Sequence, residues 1–304
     1  MSRIHEAIKR AEQERAAGQG AGGGEVAAIE TEVEKELPSL GPNLGPNKGN
    51  LHPGALRFED VWANGSRPGW KPDPNFLVFS NANPLHAGSE EFRTLRSRLY
   101  RIRESQALQA VLISSAIPAE GKTVVAVNLA YALVRQKGCR VLLVDGDLRA
   151  PRVHALLGAP ETPGLSEYLQ QGAGEMEVIQ RGPEEGLCFV PAGKHVTHAS
   201  ELISSERMKQ FLERVKDAFD WIIIDSPPAL PVADASVLGG LCDGVLLVVK
   251  ANSTPAEASQ KACRELQGAN LLGVVLNSVE EAAEYGSYYA NSHYVLSSPV
   301  SSQK

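Results

Sequence analysis

The chain has 304 residues, 43% of them hydrophobic and 22% charged, an ordinary balance that leaves room for one α/β domain of about 200 residues plus extensions. Its formal net charge of −6 gives no reason to expect nucleic acid as a main partner. No apolar run approaches the ~18 residues that cross a bilayer, residues 1–18 hold no apolar signal core, and the widely spaced Cys139, Cys188, Cys242 and Cys263 read as reduced thiols of a cytosolic protein.

Ile4, Ala7, Ile8 and Ala11 fall at helical spacing, so residues 1–17 are expected to form a short amphipathic helix that either docks or frays. Residues 18–25 are nearly all glycine and alanine, and 40–50 repeats a Leu-Gly-Pro-Asn unit. Such composition cannot build a core, and 18–75 is expected to be a flexible linker in which Trp62 and Trp70 mark a small docked patch. The folded domain is expected to cover 76–284, beginning with an edge strand at 76–79. A helix over 89–103 follows, with Ser89 as N-cap and Glu90 and Glu91 in its first turn. Glu90, Arg93 and Arg96 are spaced by three and share one face of it, which on spacing alone is a solvated face with weak ion pairs.

The chain is organised around residues 111–149. Val111-Leu112-Ile113 is a short apolar run of the kind buried on both faces of a sheet. The loop after it ends in Glu120-Gly121-Lys122-Thr123, a helix is predicted over 124–136, and Val141-Leu142-Leu143-Val144 is a second buried strand that delivers Asp145 and Asp147. In a phosphate loop the backbone N–H groups and the helix N-terminus hold phosphate oxygens. The lysine neutralises β/γ charge and the Ser/Thr hydroxyl ligates Mg²⁺. Residues Ala116, Ile117, Pro118, Ala119, Glu120, Gly121, Lys122, Thr123 and Val124 would line such a site. Ala116 stands where the standard G-x-x-x-x-G-K-[ST] pattern has its first glycine.

Short helices are predicted at 151–157 and 164–169, a strand at 187–191 and a helix at 200–218. Residues 221–224 form another buried strand ending in Asp225-Ser226-Pro227-Pro228. Asp225 is read as a Mg²⁺ or water-positioning carboxylate, with a helix N-cap as the alternative. Strands at 244–249 and 271–276 complete the pattern, the second ending in Asn277. This alternation predicts an α/β fold with a mainly parallel, doubly wound sheet and the ligand at the strands' carboxyl ends. The end changes character: Tyr285, Tyr288, Tyr289 and Tyr294, four of seven tyrosines, crowd among small polar residues in a tail spanning 285–304. Composition alone leaves a phosphoryl-acceptor tail and a packed aromatic tail equally open.

Over roughly 80–294 the chain resembles the bacterial tyrosine kinases of capsule and exopolysaccharide synthesis, P-loop relatives of the ParA/MinD ATPases. Residues 115–123 resemble the family's Walker A loop, usually P-G-E-G-K-[ST], with Ala119 in place of the glycine. Asp145-Gly146-Asp147-Leu148-Arg149 resembles its Walker A′ motif and 222–228 its Walker B, while Glu90-x-x-Arg93-x-x-Arg96 matches the motif through which members assemble into rings. His198-Ala199 departs from a family Asn-Pro.

The resemblance implies ATP and Mg²⁺ as cofactors and the tyrosine tail as the autophosphorylated segment. It implies Lys122 on the phosphates, Thr123, Asp145 and Asp225 at the metal, and Asp147 or Asp145 as base. Arg149 would orient the aspartates or meet phosphate, and Asn277 is either an adenine contact or a turn residue. The implied partners are a homo-oligomeric ring, a membrane-embedded polysaccharide copolymerase-type activator and a protein-tyrosine phosphatase. The implied location is the cytoplasm, recruited to the inner face of the plasma membrane. Two other readings also fit the sequence. A non-kinase ParA/MinD-like ATPase would carry an early loop lysine where this chain has Ile117, and a nucleotide-binding interaction module with little turnover would account for Ala116 and Ala119.

Overall fold

The computed structural model describes residues 56–79 and 88–279, all within one compact unit. The expected helix at 1–17, the Leu-Gly-Pro-Asn repeat and Tyr285, Tyr288, Tyr289 and Tyr294 lie outside the described residues.

Seven strands form one sheet: β1 (Ala110–Ser115), β2 (Val141–Asp145), β3 (Gln180–Arg181), β4 (Leu187–Val190), β5 (Trp221–Asp225), β6 (Gly244–Lys250) and β7 (Leu271–Asn277), in the order β3-β4-β2-β5-β1-β6-β7. Every pairing is parallel except that of β3 with β4. The central strands are unbroken apolar runs because both sheet faces are covered. Alternate residues go to opposite layers: Val111 and Ile113 pack with Val125, Leu129 and Leu133, whereas Ala110 and Leu112 pack with Phe211, Val215 and Leu238. The first layer lies under α2 (Ser89–Ser105) and α3 (Lys122–Val134), and the second under α8 (Glu206–Lys216) and α9 (Asp234–Leu241). Asp225 pairs in register with both Ile113 and Asp145, so the carboxyl ends of β1, β2 and β5 meet at one place.

Three local expectations are corrected. Residues 76–79 form no strand, because the Asn128 side chain on α3 takes their backbone groups. Its Nδ2 donates to Phe76 O at 2.7 Å and its Oδ1 accepts from Val78 N at 2.8 Å. The helix expected over 200–218 is two pieces, α7 (Ala199–Ile203) and α8, and Ser205 starts the second by accepting from Met208 N at 3.3 Å. Ser89 is the first residue of α2 and not its cap, which is Gly88 at φ 106°.

The ordered body also begins earlier than composition suggested. Within the expected linker, α1 (Phe58–Asn64) stacks Phe58 on Trp62 with centroids 5.5 Å apart and sets Phe58 edge-on to Phe219. Trp70 meets the edge of Phe189, and Ser66 O accepts from Arg181 N at 2.7 Å. The two tryptophans thus mark a strap that runs across the body. Asp73 N donates to Leu156 O of α4 (Val153–Leu157) at 3.0 Å. All four cysteines are free, and burial pushes the Cys139 thiol up to about 11 and that of Cys188 up to about 12, so neither ionises near neutrality. Among the described residues no helix is long and apolar enough to cross a membrane.

Candidate functional site

β1 hands the chain to a loop whose backbone is shaped by two positive-φ residues, Ala119 at 65° and Gly121 at 89°. Gly121 suits its place twice: its φ favours glycine, and a Cβ there would push on the Asn277 side-chain nitrogen. α3 then starts at Lys122, aiming its free N–H groups back at the loop. Glu120 is turned inward and is 2% exposed.

Three carboxylates face this loop, each held differently. Asp145 is fully buried and anchored by backbone: Oδ1 accepts from Asp147 N at 3.2 Å, and Oδ2 accepts from Arg152 N at 3.2 Å and Val153 N at 3.1 Å, where α4 begins. Burial, then the neighbouring Asp225 charge, holds its pKa well above the usual carboxylate range. Asp147 uses Oδ1 to accept from Arg149 N and Ala150 N, and points Oδ2 at Lys122 Nζ, 3.3 Å away. Asp225 accepts from Thr123 Oγ1 at 2.8 Å through Oδ2, while its buried Oδ1 has no partner among the described residues. Burial pushes Asp225 up to about 6, against the pull of Lys122 and the Thr123 hydroxyl. The helix N-cap alternative for Asp225 does not hold, since the next helix, α9, begins at Asp234.

These donors fit a magnesium–nucleotide. A hard oxygen set of Thr123 Oγ1 and the unpartnered Asp225 Oδ1 suits Mg²⁺, which keeps several waters and uses one or two protein carboxylates plus phosphate. Asp145, bound by three N–H groups, stands behind that pair.

Other predicted residues are placed less simply. The Arg149 guanidinium turns to Asp234, with Nε to Oδ2 at 2.7 Å, and to Ser200 Oγ at 2.8 Å; only its backbone N–H reaches Asp147. Asn277 lies against the phosphate loop, with Nδ2 donating to Glu120 O at 2.9 Å. The α2 triplet splits: Glu90 and Arg93 form an exposed ion pair, whereas Arg96 Nη1 donates to Ala132 O of α3 at 2.7 Å. Asp234, Ser200 and Thr254 escaped sequence reasoning, being 85, 51 and 134 residues from the site residues they bind. Of the three only Asp234 carried a local signal, an acid in a helix's first turn.

A parallel sheet with a lysine-bearing phosphate loop and three acids at its strand ends defines a P-loop nucleotide-handling protein. Residues 116–267 match the family model described as AAA domain. The chain is 34% identical over 222 residues to the tyrosine-protein kinase YwqD of Bacillus subtilis, covering 72% of this chain and 93% of that one. It is 34% identical over 231 residues to the tyrosine-protein kinase etk of Escherichia coli K12, covering 75% of this chain and 31% of the relative. The solved kinase domain of E. coli tyrosine kinase ETK is similar at a TM-score of 0.66 and 32% identity, covering 71% of this chain and 84% of that one. The chimerical protein CapA2B2 is similar at a TM-score of 0.65 and 30% identity, covering 74% of this chain and 100% of that one. The chain belongs to the bacterial tyrosine-protein kinase family. It spans nearly all of YwqD and about a third of etk.

Proposed function

We propose that the chain is an ATP-dependent protein-tyrosine kinase that phosphorylates its own Tyr285, Tyr288, Tyr289 and Tyr294. The observation that carries this is the Lys122–Asp147 contact at 3.3 Å beside the Thr123–Asp225 pair, in a chain whose relatives are named tyrosine-protein kinases. Phosphoryl transfer asks the protein mainly for positioning and charge stabilisation. Lys122 and the loop N–H groups would hold the β/γ phosphates, and Thr123 and Asp225 would hold Mg²⁺, which when bound offsets charge on the transferring group. Lys122 must leave Asp147 to meet phosphate, and that departure frees Asp147 Oδ2. A tyrosine hydroxyl, with a pKa near 10, then has a carboxylate to accept its proton. Asp147 suits this better than Asp145, whose two oxygens are both committed to backbone N–H groups.

The same reading extends to assembly and setting. The exposed Glu90–Arg93 pair supports a ring in which one copy's tail enters its neighbour's site. Each phosphate adds roughly −1.5 to −2 charges, beside Glu280, Glu281 and Glu284, so phosphorylation would loosen that ring. A membrane-embedded copolymerase-type activator would recruit the kinase from the cytoplasm to the inner face of the plasma membrane. A protein-tyrosine phosphatase would reset it, in the control of exopolysaccharide or capsule export. Incubation with Mg·ATP and mass spectrometry of the C-terminal peptide tests the reading; tail tyrosines that stay unmodified in wild type would sink it.

A further inference from the structure

We propose that Glu120 is a positioning residue that pre-shapes the phosphate loop for nucleotide, braced from the far side by Thr254 and Asn277. This rests on the nucleotide-binding part of the kinase reading. Glu120 lies between the exposed residues Pro118 and Ala119 and the glycine hinge at Gly121, yet it is buried. Its Oε2 accepts from Ile117 N at 2.7 Å, closing the loop on itself. Its Oε1 accepts from Thr254 Oγ1, and Thr254 Oγ1 in turn accepts from Lys250 N at the end of β6. Its backbone carbonyl accepts from Asn277 Nδ2, and Asn277 O accepts from Ala251 N at 2.8 Å. Three separated points, the loop, the β6–α10 connection before α10 (Ala256–Glu265) and the end of β7, therefore meet on one residue.

Charge makes the geometric role clear. No ion pair among the described residues includes Glu120. A buried carboxylate beside a phosphate cradle repels the anion it is meant to serve, so attraction cannot be its use. Its value is the hydrogen bonding: Ile117 N–H is withdrawn from the cradle, Pro118 has no N–H, and the donors left for phosphate are those of residues 119–123. The Thr254 and Asn277 braces fix the two sides of the turn in which Ala119 and Gly121 hold positive φ.

The test measures ADP binding by calorimetry on the full chain with Mg²⁺, together with amide exchange at Ile117 in the ligand-free protein. Glu120→Ala is expected to weaken ADP binding roughly 10- to 100-fold, the loss typical of a charged hydrogen bond, and to abolish protection of the Ile117 amide. Glu120→Gln, which keeps one carbonyl oxygen, is expected to recover most of both. Thr254→Val is expected to weaken binding several-fold and Thr254→Ser to restore it, a contrast that general destabilisation would not produce. Should Glu120→Ala fail to fold, the Thr254 pair decides. Wild type that binds ADP, with Thr254→Val matching it, overturns the positioning role alone. Wild type that does not bind ADP overturns the kinase reading beneath it.

Discussion

Ala119→Gly isolates the strain that this loop carries. Ala119 holds φ 65° with its side chain exposed, so glycine removes a Cβ that buries nothing. A left-handed residue with a Cβ costs about 1–2 kcal/mol, and glycine gives back about 0.4–1 kcal/mol through the greater freedom of the unfolded chain. The balance favours the variant by about 1 kcal/mol, which for a domain of about 200 residues raises Tm by about 2–4 °C. Thermal unfolding followed by circular dichroism in ligand-free buffer reads this directly. Ala119→Val supplies the opposite arm, since a β-branched side chain at positive φ is disfavoured more than alanine, and its Tm is expected to fall. A fall in Tm of 2 °C or so for the glycine variant, as at an unstrained site, would refute the argument.

Stability should also depend on pH through the buried acids. Asp225 is raised from 3.8 to about 6 in the folded chain, and Asp145 is raised as well, so the native state binds their protons more tightly than the unfolded state does. For Asp225 that penalty is absent below about pH 4 and complete above about pH 6. Ligand-free wild type is therefore expected to lose Tm across that window relative to Asp225→Asn; parallel profiles would contradict it. Added Mg²⁺ should stabilise wild type more at pH 7.5 than at pH 5, and equal shifts would count against Asp225 as a ligand. Asn128→Ala strands Phe76 O and Val78 N, a loss of about 1–3 kcal/mol. Limited proteolysis should then cut near residue 78, and a wild-type cleavage pattern would show that the strap is held by its aromatic contacts instead.

The sheet and the heart of the site were legible because their signals are local. Each central strand is an apolar run whose end carries the chemistry: the phosphate loop from Ala116 after β1, Asp145 at the end of β2 and Asp225 at the end of β5. What escaped was set by distant partners. Nothing near Phe76 announces that Asn128, 52 residues on, will take its carbonyl and prevent a strand. Trp62 and Trp70 sit among glycine and proline, and partners far along the chain, Arg181 over the Trp62 ring and Phe189 against Trp70, give their segment a surface to pack on. Arg149 looked free to serve the aspartates until α9 placed the buried Asp234 beside it. Ala119 showed in sequence only as a departure from the family pattern; its backbone angle gives that departure a physical cost.

Autophosphorylation is read out by incubating the full chain with Mg·ATP and mapping phosphate on the C-terminal peptide, with Lys122→Met in parallel. Phosphate on one or more of Tyr285, Tyr288, Tyr289 and Tyr294 in wild type, and none in Lys122→Met, is the predicted result. ATP hydrolysis with an unmodified tail, or a tail phosphorylated equally in the Lys122→Met protein, would contradict it.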